Sequence, residues 1–199
     1  MIEVEKKFFL DNADRNALLL GAKSVGTKTF TDTYYDTSAY DLTRRDIWLR
    51  VRDDRWELKL PLGHFQSRAA NQYRELETEK EISEYFHFTG EQPLSDSLAN
   101  AGYLPFATIT TVRSKYERDG FIIDLDVMDF GYELAEIEKM VENEEEAEKA
   151  AEEILEFART FNLRPGQVRG KVIEFLKRKD PNHFNALVSA GIVLPDGSR

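Results

Sequence analysis

The feature that most constrains the fold is a strand pattern in which one face is charged and the other is largely apolar. The first ten residues give the first example, with Glu3, Glu5 and Lys7 at alternate positions. Because successive side chains of a strand point to opposite faces, these three charges share one face. The opposite face holds Ile2, Val4, Lys6 and Phe8. One such stretch is typical of a solvated strand, so the interpretation depends on whether later stretches repeat it.

The same alternation recurs along the chain. Residues 47–52 place Trp48, Arg50 and Arg52 on one face and only apolar side chains on the other. The further charged pairs at alternate positions are Glu57 and Lys59, Glu75 and Glu77, Arg113 and Lys115, Asp124 and Asp126, and Glu136 and Glu138. Since the apolar faces can supply the ordinary core packing, the charged faces must serve another purpose.

The pattern predicts about eight antiparallel strands followed by helices, in one domain that spans residues 1–199. Strands are predicted at residues 1–10, 28–36, 47–52, 56–60, 72–78, 106–118, 121–129 and 132–141. Helices are predicted at residues 11–22, in two pieces within 79–103, and at 144–161, 171–178 and 181–190. The stretch from Gly21 to Lys28 has the glycine spacing of a phosphate-binding loop but lacks its Lys-Ser/Thr ending, so we predict a turn there.

Two arrangements of these strands are compatible with the pattern. A flat sheet would expose the charged faces to water, whereas a closed barrel would turn them inward to line a cavity. The regular pairing of charges favours the barrel, because strands that merely face solvent do not need it. We therefore predict an α+β fold, an eight-stranded antiparallel closed β-barrel with helices packed outside, and keep the solvated sheet as the alternative.

Composition argues against several classes of function. The net charge of −10 disfavours a nucleic-acid-binding surface, and no apolar run is long enough to span a bilayer. Glu3 and Glu5 occupy the place where a signal peptide has its basic and apolar segments, so we expect none. The chain has no cysteine, which excludes thiolate metal sites and fits a reducing compartment. We expect a cytoplasmic monomer that binds neither nucleic acid nor membrane.

The charges predicted to point inward divide by sign. Carboxylates are hard oxygen ligands for Mg²⁺, with Mn²⁺ as the alternative, and the predicted metal ligands are Glu3, Glu5, Asp124, Glu136 and Glu138. Further candidates for the same role are Glu57, Glu75 and Asp126. The predicted phosphate-binding cations are Lys7, Arg50, Arg52, Lys59 and Arg113, with Lys115 as a further candidate. Since a lone charge is costly to bury, the two groups together predict a small-molecule ligand, a short polyphosphate with its metal.

The chain lacks the motifs of other hydrolytic chemistries. It contains no cysteine, no H-E-x-x-H and no G-x-S-x-G. Its histidines, His64, His87 and His183, lie outside the predicted strands, and we predict surface or loop positions without a chemical role for them. Metal-assisted phosphoryl transfer fits the remaining residues, because it needs charge neutralisation and an in-line water rather than a protein nucleophile.

Several of these segments, taken in order, resemble the CYTH or triphosphate tunnel metalloenzyme superfamily. They are Glu3-Val4-Glu5-Lys6-Lys7, Trp48-Leu49-Arg50-Val51-Arg52, Trp56-Glu57-Leu58-Lys59, Arg113-Ser114-Lys115, Asp124-Leu125-Asp126 and Glu136-Ile137-Glu138. Within the superfamily the chain most resembles the thiamine triphosphatases. Further segments that carry this closer resemblance are Asp32-Thr33-Tyr34-Tyr35-Asp36-Thr37 and Asp129-Phe130-Gly131-Tyr132. The resemblance implies an eight-stranded tunnel in which Mg²⁺ assists the hydrolysis of thiamine triphosphate.

The resemblance also implies roles for individual residues. The five carboxylates named above as metal ligands would hold the metal. The substrate would contact Lys7, Arg50, Arg52, Lys59, Arg113, Glu136 and Lys171. Trp48 resembles the aromatic residue that recognises the thiamine ring. Apart from the resemblance, we predict that Tyr34 with Lys59 orients or deprotonates the attacking water. Two alternatives stay open, namely that Lys171 is an exposed helix lysine and that Trp48 only packs at the tunnel mouth.

Other functions on the same fold also remain open. The tunnel could hydrolyse inorganic triphosphate or nucleoside triphosphates, with Trp48 incidental to the reaction. Adenylate cyclase activity, also found in the superfamily, ranks lower because no base-reading residues are evident. A non-catalytic protein that binds triphosphate or polyphosphate is the alternative of another class. The five carboxylates count against it, since phosphate binding alone does not require so much negative charge.

Overall fold

Eight strands close into one antiparallel barrel in the computed structural model, which describes residues 2–62, 70–163 and 168–194. The strands are β1 (Ile2–Phe8), β2 (Lys23–Asp36), β3 (Trp48–Arg52), β4 (Arg55–Pro61), β5 (Asn71–Leu76), β6 (Leu104–Arg118), β7 (Phe121–Met128) and β8 (Tyr132–Val141). Around the barrel their order is β1-β5-β4-β3-β2-β6-β7-β8, and β8 pairs with β1 to close it. The predicted α+β fold with a closed eight-stranded barrel is confirmed.

Six α-helices within the described residues surround the barrel. They are α1 (Asn12–Leu19), α2 (Glu79–Tyr85), α3 (Leu94–Asn100), α4 (Glu144–Thr160), α5 (Lys171–Lys179) and α6 (Pro181–Ser189). The longest, α4, packs against β1 and β8 through a face of alanines with Ile154 and Phe157. Asn143 caps this helix by accepting a hydrogen bond from the backbone N–H of Glu146. In the described parts of the chain, no helix combines the length and apolar composition needed to cross a membrane.

The apolar faces of the strands point toward the helices, and the charged faces point into the barrel. Val4 of β1 is fully buried in a cluster with the apolar face of α4. On the other face of β1, the register pairs Glu5 with Glu138 and Lys7 with Glu136 of β8. Directly paired residues of an antiparallel sheet share a face. The barrel interior is therefore lined by charged side chains.

Strand β2 begins earlier than predicted, whereas the other predicted strands and helices lie within a few residues of the observed ones. The predicted turn between residues 21 and 28 is wrong beyond Ala22, because β2 pairs with β6 from Lys23 onward. Gly26 lies at a shift in this register and has a φ of 146°, a conformation that favours glycine. This glycine therefore marks a bulge in a long strand rather than a turn.

The prediction that the histidines lie at the surface is wrong for His183. Its side chain is fully buried, its Nε2 hydrogen-bonds the Oγ1 of Thr43 at 2.7 Å, and its ring stacks on Tyr40. Burial lowers the pKa of His183, so the neutral ring ties α6 to the 3₁₀ turn at Thr43–Arg45. His87 is exposed, as expected, and His64 lies outside the described residues.

Candidate functional site

The barrel interior contains a cavity that most of the predicted site residues line. The space between its walls is about 800 Å³, part of it open to solvent. The predicted residues that line it are Glu3, Glu5, Lys7, Tyr34, Trp48, Arg50, Arg52, Lys59, Arg113, Glu136 and Lys171. The two other predicted residues, Asp124 and Glu138, lie beside Glu136. The structure thus brings the whole predicted set to one cavity and its wall.

Three buried carboxylates on β7 and β8 form a compact cluster. Asp124 is the cross-strand neighbour of Glu136, and Glu138 follows two residues later on the same face. Carboxylate oxygens of these three residues lie within 4.8 Å of one another. Burial, together with the charges of Glu3 and Asp124, raises the pKa of Glu138 to about 7. The cluster therefore concentrates negative charge that the surrounding protein only partly offsets.

This carboxylate cluster fits a hard divalent cation. The Oδ1 atom of Asp124 is buried and accepts no hydrogen bond from the described residues. A buried carboxylate oxygen without a donor is costly, and carboxylate oxygens are the ligands that Mg²⁺ and Mn²⁺ prefer. Asp124, Glu136 and Glu138 would supply three such ligands from two adjacent strands. Their geometry does not distinguish between these two cations.

The two predicted metal ligands on β1 lie next to the cluster and are each bound by a lysine. Glu5 pairs directly with Glu138 across the strands and accepts a hydrogen bond from Lys7. Lys7 also lies 3.3 Å from Glu136. Glu3 accepts a hydrogen bond from Lys59. The β1 carboxylates therefore connect the cluster to the cations of the cavity.

Asp32 of β2 is a buried functional candidate that the sequence analysis missed. Its carboxylate accepts hydrogen bonds from Arg52 at 2.7 and 3.2 Å and from Lys171, and it lies 3.6 Å from Arg50. Burial alone would raise the pKa of Asp32, but these three cations outweigh it and hold the pKa well below its usual range. Asp32 therefore gathers three predicted phosphate-binding residues. Its alternation with Tyr34 along β2 could have revealed that it faces the cavity.

Lys171 is buried at the start of α5, so the alternative of an exposed helix lysine is wrong. Burial lowers its pKa to about 8, with Arg50 and Arg52 acting in the same direction and Asp32 against it. The helix N-terminus is held on the barrel because the Tyr132 hydroxyl donates to the carbonyl of residue 169 at 2.7 Å. Helix α5 thus closes the cavity and directs a cation into it.

The proposed water-handling pair, Lys59 and Tyr34, is protonated at neutral pH. Burial acts to lower the pKa of Lys59, but Glu3, Glu5 and Glu75 outweigh it and raise the pKa. Burial and the charge of Asp32 raise the pKa of Tyr34 to about 12. Both groups are therefore hydrogen-bond donors in this state. Of the two roles predicted for them, orienting the water agrees with these shifts and deprotonating it does not.

The three further candidate metal ligands each contact an arginine or a lysine of the cavity. The carboxylate of Glu57 accepts a hydrogen bond from the Nε of Arg50 at 2.7 Å. Glu75 lies 2.9 Å from Lys59, and Asp126 accepts two hydrogen bonds of 2.6 Å from Arg113. These carboxylates lie outside the cluster of Asp124, Glu136 and Glu138, and they position phosphate-binding cations. Lys115 likewise contacts the carboxylates Asp124 and Glu138, at 3.0 and 3.2 Å.

Trp48 and Tyr73 form an aromatic part of the cavity wall. Trp48 follows the 3₁₀ turn at the start of β3, and its side chain lines the cavity although it is only 7% exposed. Its indole Nε1 donates to the Oδ1 of Asp46 at 3.0 Å. The Tyr73 hydroxyl donates to the same oxygen at 2.9 Å. The predicted ring-recognition residue thus lies in the cavity with a fixed orientation.

Comparison with known proteins agrees with this architecture. Residues 1–169 match the model of the CYTH domain family. The chain is 31% identical over 207 residues to the thiamine-triphosphatase of Homo sapiens, a match that covers 94% of this chain and 90% of that protein. The solved structure of the PH1819 protein from Pyrococcus horikoshii has a TM-score of 0.66 at 20% identity and covers 89% of this chain and 99% of that one.

A plant protein shares the fold at greater sequence distance. The putative adenylyl cyclase HpAC1 from Hippeastrum, for which a dominant triphosphatase activity is described, has a TM-score of 0.55 at 16% identity. The alignment covers 89% of this chain and 96% of that protein. At this identity the likeness supports the fold and leaves the choice of substrate to the site itself.

Proposed function

Since this chain belongs to the CYTH family, we propose that it is a metal-dependent hydrolase that converts thiamine triphosphate to thiamine diphosphate and phosphate. The observation that carries the proposal is the convergence of six cations and a carboxylate cluster on one cavity inside a closed barrel. The 31% identity to a thiamine-triphosphatase supports the choice of substrate. Because one chain contributes every described wall of the cavity, we propose that the monomer is the active unit.

The cations of the cavity would bind the triphosphate. Arg50, Arg52 and Lys171 converge on Asp32, which shows that their charged groups reach one place. Guanidinium groups bind phosphate oxygens in pairs, and a buried lysine adds a point charge. Lys7 and Arg113 line the same cavity and contact Glu136 of the carboxylate cluster. A chain of phosphates would therefore extend from the arginines toward the cluster.

The carboxylate cluster would hold Mg²⁺ through Asp124, Glu136 and Glu138, with Glu5 and Glu3 beside it. A bound divalent cation neutralises charge on the phosphates and stabilises the charge that develops on the transferring group. Arg113 would assist from the protein, since it contacts Glu136 and also lines the cavity. The carboxylates of the cluster also fix the position of Arg113 by accepting its hydrogen bonds.

Lys59 and Tyr34 would act as hydrogen-bond donors in the reaction. Phosphoryl transfer needs a water held in line with the leaving oxygen. As protonated groups in the cavity wall, Lys59 and Tyr34 can donate to that water or to a phosphate oxygen. The raised pKa of each group opposes a role as the base in the state described.

The activity is tested by measuring phosphate release from thiamine triphosphate, inorganic triphosphate and ATP at equal concentration, with Mg²⁺ and with a chelator. We expect Mg²⁺-dependent release with a clear preference for thiamine triphosphate. A preference for inorganic triphosphate would retain the tunnel chemistry and reject the thiamine assignment. Binding of all three substrates without release would instead identify a non-catalytic triphosphate-binding protein.

The choice of substrate is tested at Trp48. A Trp48→Ala substitution should cost thiamine triphosphate about 1–3 kcal/mol of transition-state binding, because it removes ring stacking, and should affect inorganic triphosphate far less. The measurement is kcat/KM for both substrates. Trp56→Ala is the matched control, since Trp56 packs against Tyr35 and does not line the cavity. Equal losses on both substrates in Trp48→Ala would contradict the stacking role.

A further inference from the structure

Phe30 of β2 is a buried aromatic residue on the inward face of the barrel. It alternates with Asp32 and Tyr34 along the strand, so its side chain points to the same side as theirs. Its cross-strand neighbour on β6 is Thr111, whose hydroxyl accepts a hydrogen bond from the Lys171 ammonium at 3.2 Å. Only 2% of Phe30 is exposed, and it is not among the described residues that line the cavity. The ring therefore lies inside the barrel without forming part of the cavity surface.

In the part of the chain that the structure describes, four cations lie around the Phe30 ring. The guanidinium carbon of Arg52 is 4.1 Å from the ring centroid, and that of Arg113 is 5.5 Å from it. The ammonium nitrogens of Lys171 and Lys28 are 4.7 and 5.1 Å from the same point. A cation within about 6 Å of a ring centroid is attracted by the negative face of the ring. Arg52, Arg113 and Lys171 also line the cavity, so the ring contacts cations that we propose bind the triphosphate.

The Phe30 ring is a shared contact of cations that belong to two different carboxylate networks. Arg52 and Lys171 donate hydrogen bonds to the carboxylate of Asp32. Arg113 instead contacts the carboxylate cluster on β7 and β8. The ring contacts members of both networks. A single rigid side chain therefore holds cations of the two networks in place relative to one another.

An aromatic ring stabilises grouped cations in a way that a carboxylate does not. Like charges in a buried place repel one another, and the attraction between each cation and the ring offsets part of this repulsion. The ring of a phenylalanine has no oxygen or nitrogen that would occupy the N–H donors of the cations. A carboxylate in its place would compete with phosphate for these donors, and an aliphatic side chain would supply packing without attraction. The ring thus suits cations that must be assembled and still bind an anion.

We infer that Phe30 is a positioning residue that assembles Arg52, Arg113 and Lys171 for the triphosphate through the attraction between its ring and these cations. The inference rests on the proposed function, because it assumes that the phosphates of the substrate bind these cations. Phe30 acts through them and not by contact with the substrate. Its effect should therefore be the same for every triphosphate, whereas the loss of Trp48 should affect thiamine triphosphate selectively.

Phe8 provides a matched control for the kinetic test. It is fully buried on the outward face of β1, in the core cluster that contains the apolar face of α4. Phe30→Leu and Phe8→Leu each replace a buried ring by an aliphatic side chain, so both should lower stability. We expect Phe30→Leu to lose about tenfold in kcat/KM, chiefly through a higher KM, on thiamine triphosphate and inorganic triphosphate alike. Phe8→Leu should keep both values. A loss below twofold in Phe30→Leu, or a loss confined to thiamine triphosphate, would overturn the inference.

Fluorination of the Phe30 ring separates its attraction for cations from its packing, and it covers the case in which Phe30→Leu does not fold. Fluorine withdraws electron density from the ring face and weakens cation binding, while the shape of the ring changes little. Phenylalanine analogues with one, two and three fluorine atoms would be incorporated at position 30, and at position 8 as the control. We expect the affinity for triphosphate to fall stepwise, by about tenfold over the series, only at position 30. Equal affinities across the series would overturn the inference.

The affinities would be measured by calorimetry with inorganic triphosphate in a chelator, which separates this inference from the proposed activity. The original chain should bind this probe through its cations, and a lack of binding would overturn the inference. A stepwise loss of affinity in a protein that does not hydrolyse thiamine triphosphate would retain the inference and reject the proposed activity. Hydrolysis of thiamine triphosphate with affinities that ignore fluorination would retain the activity and overturn the inference.

Discussion

Two aspartates of the tunnel, Asp32 and Asp124, are both fully buried, yet their pKa values shift in opposite directions. Around Asp32, three cations converge on one carboxylate and hold its pKa well below the usual range, although burial opposes them. Around Asp124, burial raises the pKa despite contacts with Arg113 and Lys115. The difference lies in how the cations are shared. Arg113 and Lys115 together serve the four carboxylates Asp124, Asp126, Glu136 and Glu138.

The comparison separates two kinds of buried charge in one barrel. The Asp32 region has enough positive charge to be stable in the ligand-free state, so its carboxylate organises the arginines. The Asp124 region has more carboxylates than its cations can neutralise, which is unfavourable unless a metal cation is bound. Equal burial of these two aspartates thus has opposite consequences, and the number of cations available to each carboxylate decides the direction of its pKa shift.

The largest expected effect is on stability, and it should differ between the two aspartates. Asp32→Asn would leave Arg50, Arg52 and Lys171 with less compensating charge in a buried place, which should cost about 3–5 kcal/mol of unfolding free energy. Asp124→Asn in a chelator should cost clearly less, because it removes one of several mutually repelling carboxylates. Urea unfolding of both variants measures the difference. Equal costs would contradict the distinction between the two regions.

The next effect is on catalysis and concerns the carboxylate cluster. Glu138→Gln should lower Mg²⁺-dependent phosphate release by more than about 100-fold, since even residues that only support metal ligands commonly cost 10- to 100-fold. Glu133→Gln is the matched control, because Glu133 lies on the same strand and is exposed outside the tunnel. Circular dichroism would check that both variants are folded. Near-normal phosphate release by Glu138→Gln would contradict a role of the carboxylate cluster in the reaction.

A smaller effect is expected on the pH dependence of stability. The pKa of Glu138 is raised to about 7 in the folded state, so folding favours its protonated form. Its contribution is fully present below the unfolded pKa of about 4.3 and is lost as the pH rises through about 7. Between pH 5 and pH 8 the metal-free protein should therefore lose about 2–3 kcal/mol more than Glu138→Gln. If the unfolding free energies of the original chain and Glu138→Gln changed equally with pH, the raised pKa of Glu138 would be contradicted.

Much of the barrel was predictable because the period of two separates charged from apolar side chains in each strand. The charges of β1, β3, β7 and β8 were identified in this way, and the structure places them in the cavity or in the carboxylate cluster beside it. Asp32 follows the same rule on β2 but was missed, since the surrounding threonines make that strand look uncharged. Asp46 could not be found by period, because it lies in a connector where a left-handed backbone sets its direction.

Long-range contacts account for the remaining errors. His183 appeared to be a surface residue because its burial depends on packing between α6 and a turn about 140 residues earlier in the chain, which local sequence does not record. Lys171 was found only through the resemblance to a family, since an isolated lysine at a helix start gives no periodic signal. Gly26 has the unusual backbone conformation that a glycine suggests, but the predicted turn is wrong there. A bulge and a turn both favour glycine, so the residue alone does not distinguish them.

The central claim, that the carboxylate cluster is a divalent-cation site that serves triphosphate hydrolysis, is tested most directly by Mg²⁺-dependent stability. Chelator-treated protein would be unfolded in urea at increasing Mg²⁺ concentration, and phosphate release would be followed over the same range. We expect saturable stabilisation of about 2.7 kcal/mol at a Mg²⁺ concentration 100 times the Kd, with phosphate release rising over the same concentrations. The stabilisation should disappear in Glu138→Gln and persist in Glu133→Gln. Equal stabilisation of Glu138→Gln and the original chain, or none in either, would contradict the claim.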